Sequence, residues 1–324
     1  MAEDVHEQLT KYLTDAHSIE VQALAQLRTA PDLAGDPELA QNYREHLRET
    51  EEHERLVREA LASRGATPSR TKDAVMAVGG KGFLLFARLQ PDTPGKLHAH
   101  ALSYEGLELA SYELLARVAD RAGETAVVET ATRIRDEERA MMERLEGGFE
   151  RAVDASLRDV QADDLRAQLR KYLADAHAIE EQAATLLERG PKLAGNENLA
   201  RIYAEHLDET RRHAQLVEER LNALGGDPSS LKDAAMRLGA LNWGAFFQGH
   251  PDTPGKLAAF AHAFEYLEIG GYEQLKLVAT RAGDDETVQT AERILEQERE
   301  AAQRIASAFD EAASAALASE GIPA

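Results

Sequence analysis

Along the first thirty residues, Leu9, Leu13, Ala16, Ala23 and Leu27 recur at helical intervals with polar residues between them. That spacing puts them on one stripe of an α-helix, whereas a half-buried strand would alternate at every second residue. The pattern predicts a helix over about 4–29, ended by the stretch from Pro31 to Pro37 with Gly35 inside it. A second helix is predicted over about 38–64 and stops at Gly65, a residue suited to the left-handed turn after a helix end. Thr93-Pro94 opens a third, with Thr as N-cap and Pro in the first turn, and Gly123 ends it. A fourth follows at once and continues to about Leu157. Short connections make helices one and two, and three and four, antiparallel pairs. The longer stretch 66–92, with a short helix expected over Lys72–Phe86, lets helix three run parallel to helix two. The expected fold is all-α: a four-helix bundle with a long crossover between helices two and three.

The same pattern is then written again. Asp15-Ala16-His17 recurs as Asp175-Ala176-His177, Glu45-His46-Leu47 as Glu205-His206-Leu207, and Pro91–Leu97 as Pro251–Leu257. Every match is displaced by 160 residues, and 69 of the 150 positions between 5–154 and 165–314 are identical without a gap. A period of domain length means tandem duplication rather than a solenoid. Two bundles are expected, residues 1–157 and 163–318, related by a pseudo-twofold axis as a single-chain pseudo-dimer. Further oligomerisation is left open. The duplication also serves as an internal control on which polar residues occur in both copies.

Several core stripes carry acids where leucines belong. Glu20 interrupts the first helix stripe; His46, Glu49 and His53 share a face of the second. Glu105 and Glu108 with Tyr112 share a face of the third, and Glu138 sits between Ile134 and Leu145 on the fourth. Each recurs 160 residues later, as Glu180, His206, Glu209, His213, Glu265, Glu268, Tyr272 and Glu298. A buried ionised carboxylate is costly unless paired or bound to a cation. Several in one bundle repel one another, and no Lys or Arg lies on the apolar stripes to neutralise them. A metal ion resolves the conflict, and oxygen-rich ligation with one or two imidazoles suits iron or manganese better than structural zinc. The expected ligands are Glu20, Glu49, His53, Glu105, Glu108 and Glu138 in the first copy. In the second they are Glu180, Glu209, His213, Glu265, Glu268 and Glu298. His17, His46, Tyr112, His177, His206 and Tyr272 are placed beside them, as hydrogen-bond partners of the ligands or as further ligands. Carboxylate-bridged bundles usually take a Glu-x-x-His pair from each of two helices. Here helix four has no histidine in either copy, so one metal or two per bundle stays open.

These segments, Glu20-x-Gln22, His46-Leu47-x-Glu49-Thr50, Tyr104-Glu105-x-x-Glu108 with Tyr112, and Glu138, resemble the YciE/YciF-type ferritin-like metal-binding proteins, the DUF892 group. The resemblance covers both halves. It implies ferritin-like four-helix bundles that pair as dimers and a link to stress responses, without a settled activity. Members often carry Gln where this chain has His53 and His213.

Composition narrows the functions further. Aromatics are 5%, which disfavours a β-sandwich or barrel. Cysteine is absent, which excludes thiol nucleophiles, cysteinyl iron–sulfur clusters and thiolate zinc sites. With 58 acidic residues against 37 basic ones the net charge is −21, which argues against a nucleic-acid partner. No 18-residue apolar run and no signal-like N-terminus stands in the sequence, so no membrane partner and a cytoplasmic location are expected. Glu137 is Gln297 in the second copy and reads as a solvated position; His98, His100, His250 and His262 lack a counterpart and read as surface or packing residues. The Gly-rich run Val78–Gly82 and Trp243, Phe246 and Phe247 read as parts of the crossover. Three functions stand. One is a non-haem di-iron or di-manganese oxidoreductase acting on peroxide or dioxygen in stress. The second is a non-catalytic iron-binding protein, and the third a structural stress bundle with a vestigial site. The expected cofactor is iron or manganese, with one centre per bundle.

Overall fold

The computed structural model describes residues 4–69, 92–228 and 252–323. The expected helix over Lys72–Phe86, the Val78–Gly82 run, Trp243, Phe246, Phe247 and His250 lie outside the described residues. All regular structure among the described residues is helical, with no strand. The chain divides into two compact units, residues 1–158 with 320–324, and residues 159–319. No helix among the described residues is long and apolar enough to cross a membrane.

The first unit is built from α1 (Val5–Leu27), α2 (Ala30–Leu33), α3 (Pro37–Ser63), α4 (Thr93–Arg121), α5 (Thr125–Glu146) and α6 (Phe149–Leu157). Asp4 caps α1 by accepting from the His6 N–H, and Asp36 caps α3 by accepting from Glu38 and Leu39. Pro37 follows at the first turn of α3, where its missing N–H costs nothing. Gly35, Gly65 and Gly123 all have positive φ and turn the chain after helix ends. Gly35 is needed on a second count: a Cβ there would lie 2.8 Å from Pro94 Cγ.

Two boundaries differ from the expectation. Thr93 is the first helical residue of α4 rather than its cap, which is Asp92. The fourth helix is not continuous to Leu157 but breaks at Gly147-Gly148. The His98 ring lies 2.8 Å from where a Gly148 Cβ would stand, and its Nε2–H donates to the Leu145 carbonyl at 2.7 Å. The histidine thereby caps the end of α5, and only glycine leaves room for it.

The four long helices form a closed ring, α1 against α3, α3 against α5, α5 against α4, and α4 against α1. Their directions follow from end contacts. Arg64, just after α3, reaches the Thr10 hydroxyl near the start of α1 and the Glu124 carboxylate at the start of α5. So α3 is antiparallel to both. The Ser156 hydroxyl, beyond α5, accepts from Gly95 N–H at the start of α4, which makes α4 and α5 antiparallel. By subtraction α3 and α4 run parallel, and the end of α3 and the start of α4 lie at opposite ends of the unit. Inside the ring Leu9, Leu13, Leu61, Leu102, Leu115 and Ile134 are at most 2% exposed, each contributing about 1.5–3 kcal/mol by burial.

The second unit repeats this design with α7 (Leu165–Leu187), α8 (Gly190–Leu193), α9 (Glu197–Ala223), α10 (Thr253–Ala282), α11 (Asp285–Ser307) and α12 (Phe309–Ser319). Its ring is α7, α9, α11 and α10 in the same order.

Candidate metal centre

Glu20 on α1, His46 and His53 on α3, Glu105 and Glu108 on α4, and Glu138 on α5 all project into the ring and are at most 3% exposed. Their donor atoms form two groups. One unites His46, Glu105, Glu108 and Glu138; the other unites Glu20, His53 and Glu138. In each, one donor atom per residue lies within 4.8 Å of all the rest. Glu138 belongs to both and faces each imidazole with a different oxygen: Oε2 is 3.5 Å from His46 Nε2, and Oε1 is 2.8 Å from His53 Nδ1. His46 and His53 are seven residues apart, two helical turns on one face, so their Cα atoms are about 10 Å apart along the axis and one imidazole stands at each level.

The second unit reproduces the arrangement with His206, Glu265, Glu268 and Glu298 in one group and Glu180, His213 and Glu298 in the other. Both levels of both units therefore carry one imidazole. The six side chains of a unit, four carboxylates and two imidazoles, equal the donor inventory of carboxylate-bridged bundles. They differ in drawing both histidines from a single helix.

The outward nitrogens are held from outside the ring. His46 Nδ1 donates to Glu49 Oε2 at 3.0 Å, and Arg144 grips the same carboxylate at 2.6 and 3.3 Å. His206, Glu209 and Arg304 repeat this chain. Glu49 and Glu209, placed among the ligands by the sequence, thus stand outside both groups, with side chains 33% and 18% exposed. His46 and His206, placed beside the ligands, have their Nε2 atoms inside. His53 Nε2 donates to Glu137 Oε2 at 2.7 Å, and Glu137 also accepts from Arg133 at 3.0 Å. Glu137, which the sequence reads as a solvated position, is the second imidazole's support. The signal that could have found it is its adjacency to Glu138, on the side where the outer edge of His53 emerges. Glu49 and Glu137 share the lining of an open depression with Glu45, Arg48, Glu52 and Arg133.

The Tyr112 hydroxyl donates to Glu20, and the Tyr272 hydroxyl to Glu180. His17 contacts Glu54 at 3.0 Å on the far side of α1 and joins neither group; His177 is buried at the matching position of α7. His98 and His262 pack against Phe149 and Phe309.

The electrostatics are those of acids crowded out of water. Burial, with the negative charge of Glu138 added, lifts Glu20 to about 8 despite the opposing charge of His53. Burial lifts Glu105 to about 7 against the pull of His46, and burial with the charges of Glu138, Glu20 and Glu105 sends Glu108 well above the carboxylate range. Burial opposes charge on His53, but Glu138, Glu20 and Glu137 outweigh it and raise the ring to about 9. The hydrogen bond from His46, joined by Arg144, holds Glu49 low against its partial burial. Within the centre, Glu20 Oε2, His46 Nε2, His53 Nδ1, Glu105 Oε2, and both oxygens of Glu108 and of Glu138 have no hydrogen-bond partner. Their contacts are close, yet not aligned for hydrogen bonding. Native interiors leave only a few such atoms unpaired per hundred residues, so a cluster of them in one place needs a cause. A cation at each level would satisfy them together, so the residues present fit a metal.

A profile of the family described as a domain of unknown function, DUF892, matches the chain twice, over residues 4–158 and 164–318. No solved structure matches it.

Proposed function

The chain belongs to the DUF892 family through both of its halves, and on that premise we propose that each unit is a ferritin-like, carboxylate-bridged metal centre for two iron or manganese ions. Glu138, which belongs to both groups, would serve both positions. His46, Glu105 and Glu108 would complete one position, and Glu20 and His53 the other; Glu298, His206, Glu265, Glu268, Glu180 and His213 would do the same in the second unit. The observation that carries the reading is the convergence of unpaired, buried carboxylate and imidazole atoms from all four long helices of each unit.

Iron or manganese bound there would supply a one- or two-electron redox change toward peroxide or dioxygen that no side chain of the set can provide. The protein's own contribution is to hold and to exclude. Tyr112 fixes one oxygen of Glu20, leaving Oε2 free for the ion. Glu49 and Glu137 keep a proton on the outward nitrogen of each imidazole, so that the inward nitrogen presents its lone pair. Burial of the donors at no more than 3% exposure favours small oxidants such as peroxide or dioxygen over bulky substrates. We assign the activity to peroxide or dioxygen reduction in oxidative stress; the depth of the donors also favours simple retention of iron as the second reading.

Anaerobic titration of metal-stripped full-length protein with iron(II) tests the site. We expect saturation near four ions per chain, two for each unit. Absence of binding, or binding unaffected when Glu138 and Glu298 are both changed to Gln, would overturn the reading. Consumption of added peroxide by the loaded protein then separates the oxidoreductase from the retention protein.

A further inference from the structure

Among the described residues, one difference between the units falls on the hydrogen-bond partner of a candidate ligand. His53 Nε2 meets a carboxylate, Glu137, at 2.7 Å, while His213 Nε2 meets an amide oxygen, that of Gln297, at 2.9 Å. Around this pair the contacts among the candidate ligands match. Glu138 Oε1 lies 2.8 Å from His53 Nδ1 and Glu298 Oε1 lies 2.7 Å from His213 Nδ1; Glu20 and Glu180 stand 3.9 and 3.7 Å from the same nitrogens. Tyr112 and Tyr272 donate to Glu20 and Glu180 alike. At the other imidazole, Glu49 with Arg144 and Glu209 with Arg304 are equivalent.

We propose that Glu137 is a positioning residue that makes the Glu20–His53–Glu138 position a tighter divalent-metal site than the Glu180–His213–Glu298 position, so that the chain carries one weak position among four. The proposal rests on the metal-centre reading above. It follows from what each partner can do to an imidazole. A carboxylate only accepts, so it requires the proton on Nε2 and leaves Nδ1 as the ligating lone pair. Its charge also polarises the ring and strengthens Nδ1 as a donor, the role acids play behind metal-bound histidines. An amide is neutral and can turn to donate instead. Turned, it would favour the tautomer with the proton on Nδ1, which faces Glu298 and cannot ligate. The same carboxylate favours a competing proton on His53 too, but it attracts the single charge of a proton less than the double charge of the ion.

The residues concerned are accessible to substitution. The Glu137 side chain is 34% exposed, and Gln297 is half-buried at the rim. Calorimetric titration of the metal-stripped full chain with manganese(II) should show a tight set and one position about tenfold weaker, the lower end of the usual cost of losing such a partner. Gln297→Glu should move the weak position into the tight set, and Glu137→Gln should create a second weak one. A second readout is the proton spectrum of the zinc-loaded chain. The His53 Nε2–H resonance should lie downfield of that of His213, and the two should exchange places in the double swap Glu137→Gln with Gln297→Glu. Four equal positions in the parent chain, or single swaps that change no affinity by more than about twofold, would overturn the inference while the metal reading stands. A chain that binds no manganese(II) would overturn both.

Discussion

Glu138 stands between two imidazoles with one oxygen toward each, and Glu108 stands behind with both oxygens unpaired. These two positions are where a structural carboxylate and one held for a metal ion would behave differently. A structural Glu loses a hydrogen bond when it becomes Gln. Glu108 has none to lose, and burial already disfavours its charge. Glu108→Gln should therefore leave the metal-free melting temperature within about 2 °C of the parent, as expected of changes near ±0.5 kcal/mol. It should reduce the added stability that manganese(II) gives through the position of His46, Glu105, Glu108 and Glu138. Differential scanning calorimetry with and without the metal checks both halves of the statement. Glu49 makes the opposite case. It is bound by His46 and Arg144, and its loss leaves an unsupported ring and a half-buried guanidinium. Glu49→Ala should weaken metal binding in the first unit by about 10–100-fold without removing a ligand, measured by the same manganese titration.

At the scale of elements, the break between α5 and α6 shows two residues specifying one feature. Gly148 makes room for His98, and His98 satisfies Leu145 and receives the Tyr43 hydroxyl at 3.0 Å on its Nδ1. Burial presses the ring down to about 4, so it works as a neutral donor and acceptor. In the second unit the counterparts are Ala258 and Ala308, and the helix breaks at the same place without a histidine at position 258, His262 packing on Phe309 instead. Gly148→Ala should then cost about 1–3 kcal/mol, chiefly through the clash with the His98 ring, which unlike the end of the Leu39 side chain cannot turn aside. In the His98→Ala background the same change should cost under about 0.5 kcal/mol, since Ala308 is tolerated where residue 258 is Ala. Urea unfolding of the four proteins of this double-mutant cycle gives the coupling directly.

For the whole molecule, the centres make stability depend on pH in a direction that a metal should reverse. In the folded metal-free protein Glu20 and Glu180 rise to about 8, Glu105 and Glu265 to about 7, and His53 and His213 to about 9. Burial raises the four acids and works against charge on the two rings, which facing carboxylates lift nonetheless. All six groups bind protons more tightly folded than unfolded. Their contribution is complete below the unfolded values, 4.5 for Glu and 6.5 for His, and is lost as pH climbs through 7–9. Glu49 is shifted downward, so its contribution fades only in acid below about 4.5. Metal-free protein should accordingly melt several degrees lower at pH 9 than at pH 6. With manganese(II) the order should invert, because ions compete with the protons that leave. Thermal melts of chelator-treated and metal-loaded protein at the two pH values test this; equal melting temperatures without metal would count against the buried, unpaired acids.

Read alone, the residue pattern carries the long helices, the duplication and most of the buried polar positions of the centres. Hydrophobic periodicity fixes which stripe of a helix faces inward, and a gap-free 160-residue offset needs no structure to be seen. Family membership was legible too, in short motifs spread over both halves. What it could not assign was the division of labour among neighbours on a face. His46 and Glu49, three residues apart, differ by about 60° around α3, which is finer than a stripe read from periodicity. The choice between them was made by Arg144 from α5, whose guanidinium takes the carboxylate outward and leaves the imidazole's Nε2 within. Glu137 and Glu138 differ by one residue and about 100°, and only the placement of His53 across the ring makes one its outer support and the other its inner neighbour. Helical period is a property of one chain segment, whereas which side of an imidazole faces the interior depends on the elements packed against it, and those contacts exist only once the ring has closed.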